Sequence, residues 1–315
     1  MSDTLDQAMA RRAHSREPVI GRLEIRPLTA SIGAEITGVD LRELDHESAT
    51  AVEEALHRHL VLFFRNQPLE PAEHVRFARW FGPVAPHPFA KPHPDQPELT
   101  VLAQSTPETD GTNSWHTDST FMPCPPLGSI LQAVELPAVG GDTCWASMYA
   151  ALDALSDSLR RYLRGLTAEH DITEPLRWSI GGGHSVSADL ETLQERWPPF
   201  VHPVVRRHPA TGRECLYVNR NFTTHIRELN TDESNTLLQF LFQYVARPDF
   251  QVRFRWEHAS IAFWDNRCTQ HYAVPDYSGH RRVMHRVMIE GDQPVGPAMD
   301  EAPPSGGSPS RRSAP

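Results

Sequence analysis

Two short patterns in this chain set a histidine and an aspartate one residue apart, His93-Pro94-Asp95 and His116-Thr117-Asp118. Side chains on a strand alternate between faces, so an H-x-D pattern presents both groups on one side. Joined by a second histidine, such a pair makes a two-histidine, one-carboxylate metal site. With 17 histidines and 18 aspartates in 315 residues, chance alone yields about one such pattern, so context has to choose. Pro92, Pro94 and Pro97 crowd the first pattern, which argues against a paired strand and for a polar surface loop. The second lies in Trp115–Phe121, rich in aromatic and β-branched residues and free of proline, which predicts a strand. That strand would carry either half of a metal site or an ordinary hydrogen-bonded His–Asp pair.

The third ligand must come from elsewhere. His271 follows a strand signal at Ile261 and Phe263 and begins a turn, at the end of Trp264-Asp265-Asn266-Arg267-Cys268-Thr269-Gln270-His271. Taken alone, a histidine beside aromatics is more often a satisfied core residue. Residues 281–289 read as a strand with Arg282, Met284, Arg286 and Met288 on one face. The two arginines would stand ~13 Å apart along it, and burying them is costly unless anions pair with them. This face is therefore either an exposed edge or a cavity wall with two anion anchors, for which arginine's planar, two-pronged donor is well suited. Arg281 points the other way and reads as a surface contact.

These residues need a scaffold. Leu60-Val61-Leu62-Phe63-Phe64 predicts a strand buried on both faces, and the alternation of Val252, Phe254 and Trp256 with polar neighbours predicts a half-buried one. Helical spacing appears at Val52, Ala55, Leu56 and Leu60, and after Pro71 through Phe81 up to Gly82-Pro83. It recurs from Asp232 to Ala246, before Pro248. Helices and strands without a regular βαβ alternation indicate an α+β protein, a sheet or barrel flanked by helices. Residues 171–200, with Gly181-Gly182-Gly183 and little periodicity, predict a long loop of the kind that forms lids. Residues 1–18 and the proline- and serine-rich 294–315 read as disordered ends around one globular unit, 19–293.

Composition narrows the function. The chain is 39% hydrophobic and 22% charged with a net charge of −10, which supports a buried core and disfavours nucleic-acid binding. No apolar run approaches the ~18 residues of a membrane span. The acidic opening residues argue against a secretory signal, so a cytoplasmic location is expected. The four cysteines form no C-x-x-C pair and are expected as free thiols. The composition is compatible with a homo-oligomer.

Taken together, W-H-T-D at 115–118, G-G-D-T at 140–143, W-D-N-R-x-T-Q-H at 264–271 and R-R-V-M-H-R at 281–286 resemble the taurine dioxygenase family of Fe(II)- and 2-oxoglutarate-dependent oxygenases. The resemblance runs from about Ile25 to Gly291. It implies a double-stranded β-helix (jelly-roll) core with flanking helices. It further implies iron held by His116, Asp118 and His271, with 2-oxoglutarate gripped by Arg282 and Thr143 and dioxygen as co-reactant. Arg286 and His87 would bind a small anionic substrate at its sulfonate, Phe222 would wall the pocket, and Thr112 or Asn113 would lie near the substrate's amine. Oxidation next to the sulfonate would release sulfite and an aldehyde.

The departures sit at the amine end. A tyrosine that the family's taurine oxidiser carries three residues after the histidine matching His87 is Ala90 here, and its valine after the ligand aspartate is Ser119. A larger pocket and longer or amine-free substrates are therefore expected, with an alkyl sulfate ester or a carboxylate as alternatives to a sulfonate. A metal-binding protein without turnover, or a zinc hydrolase on the same triad, is the reading from another class. The absence of H-E-x-x-H and the two unexplained arginines weigh against it.

Overall fold

Val61–Phe64 is flanked in its sheet by Ala34–Thr37, running parallel, and by Ile261–Asp265, running antiparallel. The structure is a computed structural model that describes residues 23–88, 90, 92–104, 113–181 and 189–298. From these strands the sheet continues through Gly128–Glu135 and Arg282–Ile289 to Gln96–Gln104 and ends at Pro92–His93. Its two faces carry different cores, which is why Val61–Phe64 and Ile261–Trp264 are apolar at every position. Leu62, Phe64, Ile261 and Phe263 pack under the helices His46–His59 and Pro71–Ala78, whereas Phe63, Ala262 and Trp264 point to the other side.

On that other side lies a three-stranded sheet, ordered Gln251–Phe254, Thr143–Ser147, Thr269–Ala273. Aromatic rings join the two layers. Phe63 stacks on Phe254 with centroids 4.1 Å apart and meets Trp145 edge-on at 5.4 Å, and Trp145 lies 5.7 Å from Trp264. Two facing sheets with helices packed around them are the jelly-roll core and flanking helices expected of this sequence. The helix Thr231–Tyr244 is opened by an Asn230 capping box with Glu233, near the start expected from its apolar spacing.

Three expectations need correction. Residues 171–200 are not one long loop: Thr173–Gly181 and Leu190–Arg196 are helices, and Phe200 begins a strand. Leu176 and Leu193 are buried against Phe121 and Phe222, so contacts remote in sequence supply what local periodicity lacks. Pro92–His93 does pair with Gln96–Gln104, because an edge strand needs hydrogen-bonding groups on one side only. Val295 forms a bridge with Arg207, so the ordered chain runs past 293. Residues 1–18 and 299–315 lie outside the described residues. Among the described residues no helix is long and apolar enough to cross a membrane.

Two histidines are buried in neutral form. His74 donates from Nε2 to the Ile130 carbonyl oxygen (3.2 Å), and His202 from Nε2 to that of Met122 (3.0 Å). Burial pushes their pKa values down to about 3 and about 4. Below the unfolded value of 6.5 the unfolded chain therefore binds protons that the folded chain refuses. Their contribution to stability is complete above that value and drains away as the pH falls towards 4. The thermal midpoint should drop between pH 7 and 4.5, with a shallower slope in His74→Gln. A midpoint independent of pH in this window would contradict the assignment.

Candidate active site

His271 lies inside the strand Thr269–Ala273 rather than at the start of a turn. Its N–H donates to the His116 carbonyl (2.8 Å) and its carbonyl accepts the His116 N–H (3.0 Å). This closed pair is the whole of the strand character of Trp115–Phe121, which otherwise is a single bridge followed by a turn with Ser119 at φ +54°. The pair sets two residues 155 positions apart directly opposite each other, with ring centroids 4.1 Å apart. His116 Nδ1–H donates to the Ser114 carbonyl oxygen at 2.8 Å, which leaves the Nε2 lone pair facing Asp118.

Asp118 is held by its backbone and by its carboxylate. Its N–H donates to Asn266 Oδ1 (2.9 Å), and Asn266 Nδ2 donates back to its carbonyl (3.0 Å) and to that of Pro126 (3.1 Å). The amide side chain thus imitates a strand partner at the point where the chain turns away. Ser129 Oγ donates to Asp118 Oδ2 (3.0 Å) and Arg286 Nη1 to Oδ1 (3.2 Å). Oδ1 lies 3.9 Å from His116 Nε2 and 3.8 Å from His271 Nε2. Burial alone would raise the Asp118 pKa, but Arg286, His271 and His116 outweigh it and hold the carboxyl well below its usual range. Burial and the facing His116 push His271 down to about 3, so it is neutral with a lone pair to offer.

The remaining expected site residues fall on both sheets. Arg282 and Arg286 are buried on the long strand Arg282–Ile289, while Arg281 is exposed and paired with Glu135. Gly140 and Gly141, at φ +86° and +74°, pass so close to their neighbours that a Cβ on Gly140 would meet the Asp276 carbonyl oxygen at 2.6 Å and one on Gly141 the Arg282 Cδ at 3.1 Å. Only glycine combines that backbone with that approach. Thr143 is buried and its Oγ1 accepts the Trp256 Nε1–H at 3.0 Å. His87 accepts the Ala90 N–H at Nδ1 (3.0 Å), and burial and the nearby Arg286 push its pKa down to about 3. It therefore carries its proton on Nε2 as a neutral donor. Phe222 packs on Phe121 at 5.3 Å, and Asn113 is partly buried beside Ser114, which bonds to Asn221.

Among the described residues a second His–His–carboxylate group exists, His57, His208 and Asp265. Two of its members are bridged by a cation of the chain itself. Arg267 donates to Asp265 from Nε (2.9 Å) and Nη2 (2.6 Å) and approaches His57 Nε2 at 3.3 Å. His208 Nδ1 accepts the Thr211 N–H (3.2 Å), so its Nε2–H donates to Asp265 (2.9 Å). This network anchors the loop that presents Asn266. Cys268 is buried with its thiol pKa raised, which makes it an inert packing group.

The first group fits a divalent ion. Donor atoms each ~2 Å from one ion can be at most ~4 Å apart, and the 3.8 and 3.9 Å separations fall within that limit. Two imidazoles and one carboxylate with open positions are the donor set of non-haem iron oxygenases. Residues 24–288 match the family described as taurine catabolism dioxygenase TauD, TfdA family, and the chain belongs to it. It is an Fe(II)- and 2-oxoglutarate-dependent dioxygenase. It is 37% identical to an alpha-ketoglutarate-dependent sulfate ester dioxygenase of Pseudomonas putida, over 91% of this chain and 96% of that protein. An alkylsulfatase of Acinetobacter baylyi is 35% identical over 87% of each. A solved taurine dioxygenase from Burkholderia xenovorans superposes with a TM-score of 0.75 at 36% identity, covering 88% of this chain and 94% of that one.

Sequence reasoning missed Ser129 and Asn266. Asn266 sits within the W-D-N-R block, a usable signal, whereas nothing local marks Ser129. Groups that orient metal ligands typically contribute 10- to 100-fold in affinity. Ser129→Ala and Asn266→Ala should each weaken Mn(II) binding about ten-fold or more, read by titration with electron paramagnetic resonance. Unchanged affinity in both would show that the orienting contacts are idle.

Proposed function

We propose that this enzyme oxidises a small organic anion with a sulfur oxyanion head at the carbon next to that head, and that an alkyl sulfate ester suits it better than taurine. The carrying observation is Arg286, a buried guanidinium that gives one N–H to Asp118 while its Nε has no hydrogen-bond partner among the described residues. A buried cation with donors to spare beside the metal carboxylate calls for a second anion.

In this reading His116 Nε2, Asp118 Oδ1 and His271 Nε2 hold Fe(II), and the bound metal supplies dioxygen activation at the expense of 2-oxoglutarate, which leaves as succinate and carbon dioxide. Arg282 and Thr143 grip the far carboxylate of 2-oxoglutarate. Arg286 and the neutral Nε2–H of His87 take the head group, and Phe222 walls the adjoining space. Asn113 stands at the far end. Ala90 supports the ester over taurine, because it offers neither bulk nor a hydroxyl where the taurine oxidiser carries a tyrosine. The names of the Pseudomonas and Acinetobacter relatives point the same way. Hydroxylation next to an ester oxygen gives a hemiacetal sulfate that breaks to aldehyde and sulfate, whereas a sulfonate gives aldehyde and sulfite.

A substrate panel with Fe(II), ascorbate and 2-oxoglutarate should show sulfate release from medium-length alkyl sulfates faster than sulfite release from taurine. The reverse order would contradict the choice of head group. Arg286→Ala should raise KM for the anion by about 30-fold or more, the cost of removing a buried charged partner, and leave 2-oxoglutarate decay uncoupled from product. An unaltered KM would refute the anchor.

A further inference from the structure

Trp256 and Thr143 meet in a bond whose polarity is fixed by chemistry. An indole N–H only donates, so in the 3.0 Å contact Thr143 Oγ1 is the acceptor. The hydroxyl proton of Thr143 is thereby turned away from Trp256. Among the described residues the side chain makes no other hydrogen bond, so its proton points at an acceptor the protein does not supply. Two residues upstream of Thr143, Gly141 lies against the stem of Arg282, so the two side chains proposed for the carboxylate belong to adjoining segments.

We propose that Trp256 is a positioning residue for 2-oxoglutarate: by donating to Thr143 it presets that hydroxyl as a donor to the cosubstrate's far carboxylate. The proposal rests on the reading of Thr143 and Arg282 as the carboxylate site. The ring is well placed to hold the bond, being buried, edge-on to Phe254 at 5.1 Å and 6.3 Å from Trp145. A threonine hydroxyl free to rotate has three staggered positions, of which one serves the carboxylate. Fixing it beforehand removes an ordering cost that binding would otherwise bear. Trp256 touches no substrate atom in this scheme and acts only through Thr143.

The test is a double-mutant cycle on the full-length, Mn(II)-loaded protein, with the dissociation constant of 2-oxoglutarate read by calorimetry and folding checked by circular dichroism. Trp256→Phe keeps the ring and deletes the N–H. It should weaken 2-oxoglutarate about three- to ten-fold, and in the Fe(II) enzyme it should raise the KM for 2-oxoglutarate while leaving that of the organic substrate unchanged. Thr143→Val should weaken 2-oxoglutarate at least as much, and adding Trp256→Phe to it should cost nothing further. Trp256→Met replaces the Phe variant if that protein does not fold. Equal losses from the tryptophan change with and without the Thr143 hydroxyl would overturn the proposal, and so would no loss in either. If Thr143→Val alone binds 2-oxoglutarate normally, the carboxylate site itself is misplaced, a failure distinct from that of Trp256.

Discussion

The reciprocal backbone pair between His116 and His271 is the constraint on which the site depends. The two segments come from opposite halves of the chain, and only the Thr269–Ala273 strand gives the earlier one a place to dock. Once docked, that segment has to leave the sheet within two residues to turn its carboxylate inwards. The left-handed Ser119 and the Asn266 side chain make this exit affordable, the one by its backbone angle and the other by replacing the lost strand partner. The jelly roll contributes the distance between its sheets: His271 and Thr143 come from one, Arg282 and Arg286 from the other.

Buried charge is handled in two ways in one molecule. Around Asp265, the chain supplies its own cation, Arg267, and both histidines are neutral partners, so the group is closed. Around Asp118, Arg286 approaches from the side, and the two imidazole nitrogens stand close to 4 Å away instead of bonding to the carboxylate. Similar donors thus yield a structural lock in one place and a candidate ion site in the other, and the difference is whether a guanidinium bridges the carboxylate to a histidine. The same Arg286 that keeps Asp118 ionised is the group we propose for the substrate anion, which would tie substrate binding to the candidate metal carboxylate.

Much of this was legible along the chain. The strands Val61–Phe64 and Arg282–Ile289 and the helices around 46–59, 71–78 and 231–244 follow from periodicity and caps, because their burial is patterned locally. The helices at 173–181 and 190–196 were not, since Leu176 and Leu193 are buried by Phe121 and Phe222, which lie far away in sequence. Trp115–Phe121 has strand-forming residues but turns, because Asn266, 148 positions beyond Asp118, overrides local preference. The candidate ligands were visible as residue types in linked blocks. Their orienting partners were not, as a serine at 129 means nothing until the fold brings it to Asp118.

The account is tested most directly by diffraction from crystals grown with Mn(II) and 2-oxoglutarate, with the metal located by its anomalous signal. The prediction is one strong peak bonded to His116 Nε2, Asp118 Oδ1 and His271 Nε2, with the far carboxylate of 2-oxoglutarate on Arg282. A peak among His57, His208 and Asp265 instead, or none near Asp118, would contradict it.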